Sequence, residues 1–404
     1  MSALKYWLWL SAAEGVSCKA KSALIDRYGD AETAYFAPEG EFKTIRGISL
    51  KEAAILEERN LDCVRFIEEE CEQQEISIIT MSDCTYPKRL KNIYAPPVVL
   101  YVKGSIRDLD ELPLVAVIGT RRASPYGLKM GRKLAWEICR CGGGVISMLT
   151  MGIDSEAAKG ALLSGGRCIG VLGTPHEKHP GSLQRDIIAN GTLISEYPPG
   201  MTAQRSFFRE RNRIASGISL GVVVVEAPLR SGTKLFADEA AEQGKEIFAV
   251  PGNADAEGCA GSNALIKEGA KLVTKGAEVM EEFEALYPDI IRLSGEKCPE
   301  AIKKDEYTEN LKTEPHKREI KKEKEVDNEK SRGYIDLREQ LSCLSEDQLK
   351  IINAIDKKSA HIDDIIETTG LSAPKVLAQL TVLEIKGYVK REAGRRISLN
   401  IAKK

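Results

Sequence analysis

Histidine is scarce in this chain, four residues in 404, and aromatic residues make up only 6%. No His-x-His or His-Glu-x-x-His spacing occurs, so the usual zinc hydrolases find no ligand set. His176 and His179 flank one stretch and read as ordinary loop histidines more readily than as metal ligands. Gly-x-x-x-x-Gly-Lys-Ser/Thr is absent, and no Gly-x-Gly-x-x-Gly follows an apolar run, which removes P-loop and dinucleotide-binding readings. Net charge is also missing: 58 Lys and Arg face 60 Asp and Glu, a balance of −2. Any polyanion site must therefore be a local patch. The ten cysteines form no Cys-x-x-Cys pair, and only Cys139 and Cys141 stand close, which reads as reduced cytosolic thiols. No apolar run is long enough to cross a membrane. Met1–Leu10 is too short and too aromatic for a signal peptide, so the expectation is a soluble cytoplasmic protein without membrane partners.

What is present begins with Leu114-Val-Ala-Val-Ile-Gly-Thr-Arg-Arg-Ala-Ser-Pro-Tyr-Gly127. Leu114–Ile118 is a run rich in β-branched residues, suited to a strand buried on both faces. Ser124 and Pro125 supply an N-cap and a first helical position for a helix over 126–141. The turn between them offers backbone amides, a helix dipole, Arg121 and Arg122. It reads either as a phosphate cradle or as an ordinary turn with two solvated arginines.

Around this stretch, apolar runs and helical patterns alternate. Strands are expected at 76–80, 97–104, 114–118, 144–147, 168–172, 192–195, 221–226, 246–250 and 271–273. Helices are expected at 126–141, 154–164, 181–189, 209–217, 233–243 and 261–268. The expected fold is α/β, a Rossmann-like and mostly parallel sheet with helices on both faces. Residues 1–75 read as a small helical domain of helix-hairpin-helix type, with Thr44-Ile-Arg-Gly-Ile-Ser-Leu50 as its Gly-containing turn. The core domain is placed at 76–290. Lys and Glu dominate 291–335, a charged linker. Residues 336–404 read as three helices and a basic hairpin, Gly387–Leu399, hence a winged helix.

Ligands of such sheets bind beyond the carboxyl ends of the strands. Four loops fall there. Gly119, Thr120 and Arg121 follow the 114–118 strand, and Gly152-Ile-Asp154 follows the next, with Asp154 read mainly as a helix cap. Arg205-Ser-Phe-Phe-Arg-Glu-Arg-Asn-Arg213 interleaves four arginines with two phenylalanines, a mixture suited to phosphate contact and base stacking. Its alternative is a solvated helix start with Phe207 or Phe208 in the core. Arg230-Ser-Gly-Thr-Lys234 opens a helix after the most apolar strand, as a phosphate cradle or as a plain cap.

Several motifs resemble the DprA/Smf family of bacterial DNA-processing proteins. They are Tyr86-Pro-x-x-Leu90, Pro97-x-x-Leu-Tyr-x-x-Gly104, Val117-Ile-Gly-Thr-Arg121, Gly152-Ile-Asp154 and Arg211-Asn-Arg-Ile214. Ser231-Gly-Thr233, Phe248-Ala-Val-Pro-Gly252 and Gly261-Ser-Asn-x-Leu-Ile266 complete the series, densest over 80–280. The resemblance implies a single-stranded DNA binder without catalytic chemistry or cofactor. Such a protein dimerises, protects incoming DNA and helps load the recombinase RecA in natural transformation. Carried over by position, its DNA pocket uses Gly119, Thr120, Arg121, Arg205, Phe208, Arg211, Asn212, Arg213, Ser231, Gly232 and Thr233. The chain departs from the family pattern at the ligand face. Ser147-Met-Leu-Thr-Met-Gly-Ile-Asp154 lacks a glycine and an arginine usual there, and Ala158 stands at a usual histidine. Leu172–Pro180 replaces a Gly-x-Gly-Leu-Asp segment, and Lys234-Leu-Phe replaces small apolar residues.

Two other readings stand beside this one. Ser231-Gly-Thr233 with Glu239 faintly resembles lysine-decarboxylase-like nucleotide phosphoribohydrolases, although their Gly-Gly is absent. Alternatively the core is a dimer scaffold, and the winged helix contacts DNA through Arg391, Arg395 and Arg396.

Overall fold

The structure is a computed structural model. It describes residues 3–106, 109–293, and within the C-terminal part 350–351, 354–355, 360–373, 375–376, 379–380, 383, 389–392 and 396–399. Backbone contacts divide the chain into two units, Met1–Thr313 and Glu314–Lys404.

The first unit opens with five helices: α1 (Leu4–Ala12), α2 (Cys18–Tyr28), α3 (Ala31–Tyr35), α4 (Leu50–Glu57) and α5 (Asp62–Gln73). Ser17 caps α2, Asp30 caps α3, and Ser49 with Glu52 forms a reciprocal capping box on α4. These helices share an apolar cluster in which Leu8, Leu10, Leu24, Phe42 and Leu56 are fully buried.

β1 (Ser77–Thr80), α6 (Lys88–Lys91) and β2 (Val99–Gly104) lead into the alternating core. That core runs β3 (Leu114–Ile118), α7 (Pro125–Arg140), β4 (Gly144–Ser147), α8 (Ile153–Leu163), β5 (Arg167–Val171), α9 (Ser182–Asn190) and β6 (Thr192–Ser195). It continues with α10 (Arg205–Ile218), β7 (Gly221–Val224), α11 (Gly232–Glu242), β8 (Glu246–Ala249), α12 (Ala260–Lys267), β9 (Lys271–Leu272) and α13 (Gly276–Met280). The expected strands are all present. The helix expected at 209–217 starts earlier, at Arg205, so the cationic and aromatic stretch is its first turns rather than a leading loop.

The nine strands form one sheet in the order β1-β2-β6-β5-β4-β3-β7-β8-β9. From β6 to β9 all neighbours are parallel, while β1 and β2 extend one edge antiparallel. Alternation along β3 divides its side chains between the two faces. Leu114, Ala116 and Ile118 pack with Ile214, Ile218 and Phe236 on the side of α10 and α11. Val115 and Val117 pack with Leu134, Ile138 and Ala157 on the side of α7 and α8. Burying each of the Val, Leu, Ile and Phe side chains among these contributes about 1.5–3 kcal/mol relative to exposure. The N-terminal helices cover one face of the antiparallel extension, where Val99 and Tyr101 join their cluster and the Tyr101 hydroxyl lies 3.0 Å from Ser11 Oγ.

Strand order reverses direction at β3. The chain travels outward through β4, β5 and β6, then returns to place β7 on the other flank of β3. In open α/β sheets this switch point leaves a crevice beyond the strands' carboxyl ends.

In the second unit, β10 (Ala360–His361), α14 (Ile362–Thr369), β11 (Val389–Glu392) and β12 (Arg396–Leu399) are described, with strand order β10-β12-β11. Ile351, Ile365, Val376, Leu380 and Ile397 share its own small core. The linker expected at 291–335 lies outside the described residues from 294 on, as does the wing tip with Arg395.

Candidate nucleic-acid interface

The crevice is lined by loops that hold one another by specific bonds. Gly119, just past β3, leaves no room for a Cβ, which would stand 2.4 Å from Ile153 of α8. Its amide donates to Asp154 Oδ1 at 3.3 Å. Gly152 has φ +88° and lies against Thr120 and Arg121, where a Cβ would meet the Thr120 carbonyl at 2.4 Å. The loops after β3 and β4 are thus locked together at their glycines.

Asp154 has a different task from the expected one. It caps nothing on its own helix, whose N-cap is Gly152 without a side-chain bond. Its buried carboxylate instead takes the Gly119 amide and the Thr150 hydroxyl, fixing both loops. Burial pushes this carboxyl up to about 6, against the opposing influence of the Thr150 hydroxyl, the Arg211 charge and the Gly119 amide.

The α7 N-terminus is not an open anion cradle. Ser124 caps it as expected, accepting from the Gly127 amide at 3.1 Å. The buried Glu226 carboxylate, just past β7, occupies the place a phosphate would take: it accepts from Ser124 N at 2.9 Å and from the Ser124 hydroxyl. Gly127 is required there, since a Cβ would stand 2.4 Å from that carboxylate. Arg121 and Arg122, between β3 and α7, are exposed.

α10 carries the aromatic and cationic residues. Phe207 is buried and stacks on Tyr197, ring centroids 3.8 Å apart and planes at 12°. Phe208 is 40% exposed and lies over the backbone at Gly173, in the loop after β5. The Arg211 guanidinium sits 6.0 Å from the Phe208 ring. Arg211 is buried, and its Nη1 donates to the carbonyls of Met148 at 2.8 Å and Val171 at 3.1 Å. It ties the loop after β4 to the end of β5. Burial lowers its pKa to about 10 despite Asp154, so it stays charged at neutral pH. Its Nε is buried without a hydrogen-bond partner.

Asn212 Nδ2 donates to Glu239 Oε2 of α11 at 3.4 Å, and Arg209 pairs with the same carboxylate at 3.4 Å. The glutamate that a phosphoribohydrolase would need is thereby engaged by α10. Ser231 caps α11, accepting from Lys234 N at 3.2 Å. Gly232 is exposed with open space at its Cβ position, and Thr233 is half-buried beside it. Arg205 and Arg230 are exposed.

Arg213 is set apart from this group. Its guanidinium is paired with Glu196, at the end of β6, and both side chains are 12% exposed. Burial opposes its charge, but Glu196 and the nearby Cys18 outweigh that and hold it above the ordinary guanidinium range. His176 is buried rather than a surface loop residue: its Nε2 lies 2.8 Å from the Tyr101 carbonyl, and burial lowers its pKa to about 4. Among the described residues no group of three or more His, Cys, Asp or Glu is placed to hold a metal, and no helix is long and apolar enough to cross a membrane.

The crevice thus presents exposed arginines, a half-exposed phenylalanine and an accessible helix start at one sheet edge. The family described as DNA recombination-mediator protein A matches residues 77–284, and the DprA winged helix domain matches 338–395. Protein Smf of Synechocystis sp. is 30% identical over 400 residues, 97% of each chain. DNA processing protein DprA of Streptococcus pneumoniae is 41% identical over 216 residues, 52% of this chain and 74% of that protein. An X-ray structure of the Streptococcus pneumoniae protein superposes with a TM-score of 0.59 at 32% identity, covering 69% of this chain and 98% of that one. The chain belongs to the DprA/Smf family of DNA recombination-mediator proteins.

Proposed function

We propose that this protein binds single-stranded DNA at the carboxyl edge of its parallel sheet and performs no catalysis there. The observation that carries the reading is the placement of Phe208. A half-exposed aromatic ring lies over a strand-end loop, with Arg211 behind it, exposed Arg205 at the start of the same helix and exposed Arg121 and Arg230 on other strand-end loops. Stacking on such a ring is sequence-tolerant, because every base has a π face. The arginines, with Gly119, Thr120 and the Ser231–Thr233 helix start, serve the phosphates.

From the family resemblance follow a homodimer and a partnership with RecA, in which the bound strand is protected and handed to the recombinase during transformation. The test is direct. Arg121→Ala weakens binding equally for all sequences and lowers the slope of log K against log salt by about one. Phe208→Ala costs about 1–3 kcal/mol with little change in slope. If Arg121→Ala holds single strands as tightly as wild type, the site is misplaced.

A further inference from the structure

The loop that follows β4 is held at nearly every residue. The Met148 carbonyl accepts from Arg211 Nη1 at 2.8 Å, and Leu149 N donates to Ser147 Oγ at 3.1 Å. Leu149 has φ +53°, in the left-handed region that a bulky side chain rarely enters. Its side chain lies against β5, where a Cβ on Gly170 would stand 2.8 Å from Leu149 Cδ1. Thr150 donates its hydroxyl to Asp154, and its carbonyl accepts from Ser155 N at 3.1 Å. Gly152, with φ +88°, is wedged against Thr120 and Arg121. A non-glycine residue keeps such a backbone only where its surroundings over-determine it, and such strain collects at ligand clamps. Between these anchors Met151 is 76% exposed, more than any other large apolar side chain among the described residues.

Sheet order gives that exposure a context. β4 lies between β5 and β3, so the loop carrying Met151 stands between Phe208, over the loop after β5, and Arg121, past β3. Neighbouring strands are about 4.8 Å apart, so a polymer held at both Phe208 and Arg121 crosses the loop that carries Met151. We propose that Met151 is a second base-contacting residue of the single-stranded DNA site, its thioether packing on the face of a base beside the one at Phe208. This rests on the function proposed above and deepens it. An unbranched, polarizable side chain adapts to purines and pyrimidines alike, and its sulfur makes favourable contacts with aromatic rings. The rigid loop supplies the position, and the flexible side chain supplies tolerance of sequence. Charge is left to the arginines, so Met151 adds affinity that salt does not remove.

The test compares the full chain as wild type, Met151→Ala, Met151→Arg and Phe208→Ala on two strands of equal length, oligothymidylate and an abasic oligonucleotide, over a range of salt. Met151→Ala is expected to weaken oligothymidylate binding about fivefold at an unchanged salt slope, and to hold the abasic strand as wild type does. Met151→Arg puts a charge beside the strand and raises the slope by about one on both; an unchanged slope places residue 151 off the strand and overturns the inference. Equal losses on both strands in Met151→Ala mean that the residue acts through the shape of the loop, which overturns it too. Wild-type affinity in Met151→Ala, with Phe208→Ala weakened, overturns it and leaves the functional reading standing. No binding of either strand by wild type overturns both. The wild-type chain gives a readout independent of any variant's folding. Oxidation of the Met151 thioether by hydrogen peroxide, followed by mass spectrometry, is expected to slow when oligothymidylate is bound, and an unchanged rate refutes the contact.

Discussion

Asp154 shows how one residue serves a ligand face without touching a ligand. Its carboxylate pins Gly119 and Thr150, and burial holds its pKa at about 6 against an ordinary 3.8. A folded-state pKa above the unfolded one means the native protein keeps a proton that the unfolded chain has lost. Stability contributed by the protonated form is thus full below about pH 4, falls as pH rises toward 6, and is flat above. The span is roughly 3 kcal/mol for a two-unit shift. Asp154→Asn is expected to flatten this slope in urea melts between pH 4 and 7, and an unchanged slope in that variant contradicts the assignment. The same charge lies next to Arg211, so single-strand affinity rises as pH drops through 6, measurable by titration at constant salt. Such a residue is visible in the sequence only as an acid after Gly-Ile. Its partners at Gly119 and Arg211 are distant in the chain, and a helix cap is the natural reading without them.

At the scale of elements, the strands were legible because burial on both faces leaves continuous apolar runs such as Leu114–Ile118 and Gly221–Val225. The start of α10 was not, because Arg205, Ser206 and Arg209 give its first turns no apolar period apart from Phe207 and Phe208. Neither was the Glu226 cap, whose partner Ser124 is 102 residues away. The antiparallel edge formed by β1 and β2 was also hidden, since pairing direction leaves little trace in a short strand. The pair α7 and α8 shows how closely the elements are fitted. Gly160 of α8 lies against the Arg132 carbonyl of α7, where a Cβ would stand 2.2 Å from that oxygen. Gly160→Ala must separate the two helices and is expected to cost about 1–3 kcal/mol of stability. Because both helices pack against the loops after β3 and β4, DNA affinity should fall with it. A variant that melts with wild-type stability shows that the helices are less tightly fitted than this geometry requires.

For the whole molecule, the N-terminal helices and the nine-stranded core share contacts, and the C-terminal unit has its own apolar cluster. A chain ending at residue 293 is therefore expected to unfold at the same denaturant midpoint as the first transition of the full chain. It should bind single strands with the same salt slope. A steeper slope in the full chain assigns DNA contacts to the winged helix, and a collapsed truncation shows that the first unit depends on the second. The central claim concerns the ligand itself, and one titration addresses it. The intact protein is mixed with fluorescent single- and double-stranded oligonucleotides of equal length at two salt concentrations. Binding that prefers single strands and weakens steeply with salt is the expected result. Preference for duplex, or no binding at either salt, contradicts the placement of single-stranded DNA at the carboxyl edge of the sheet.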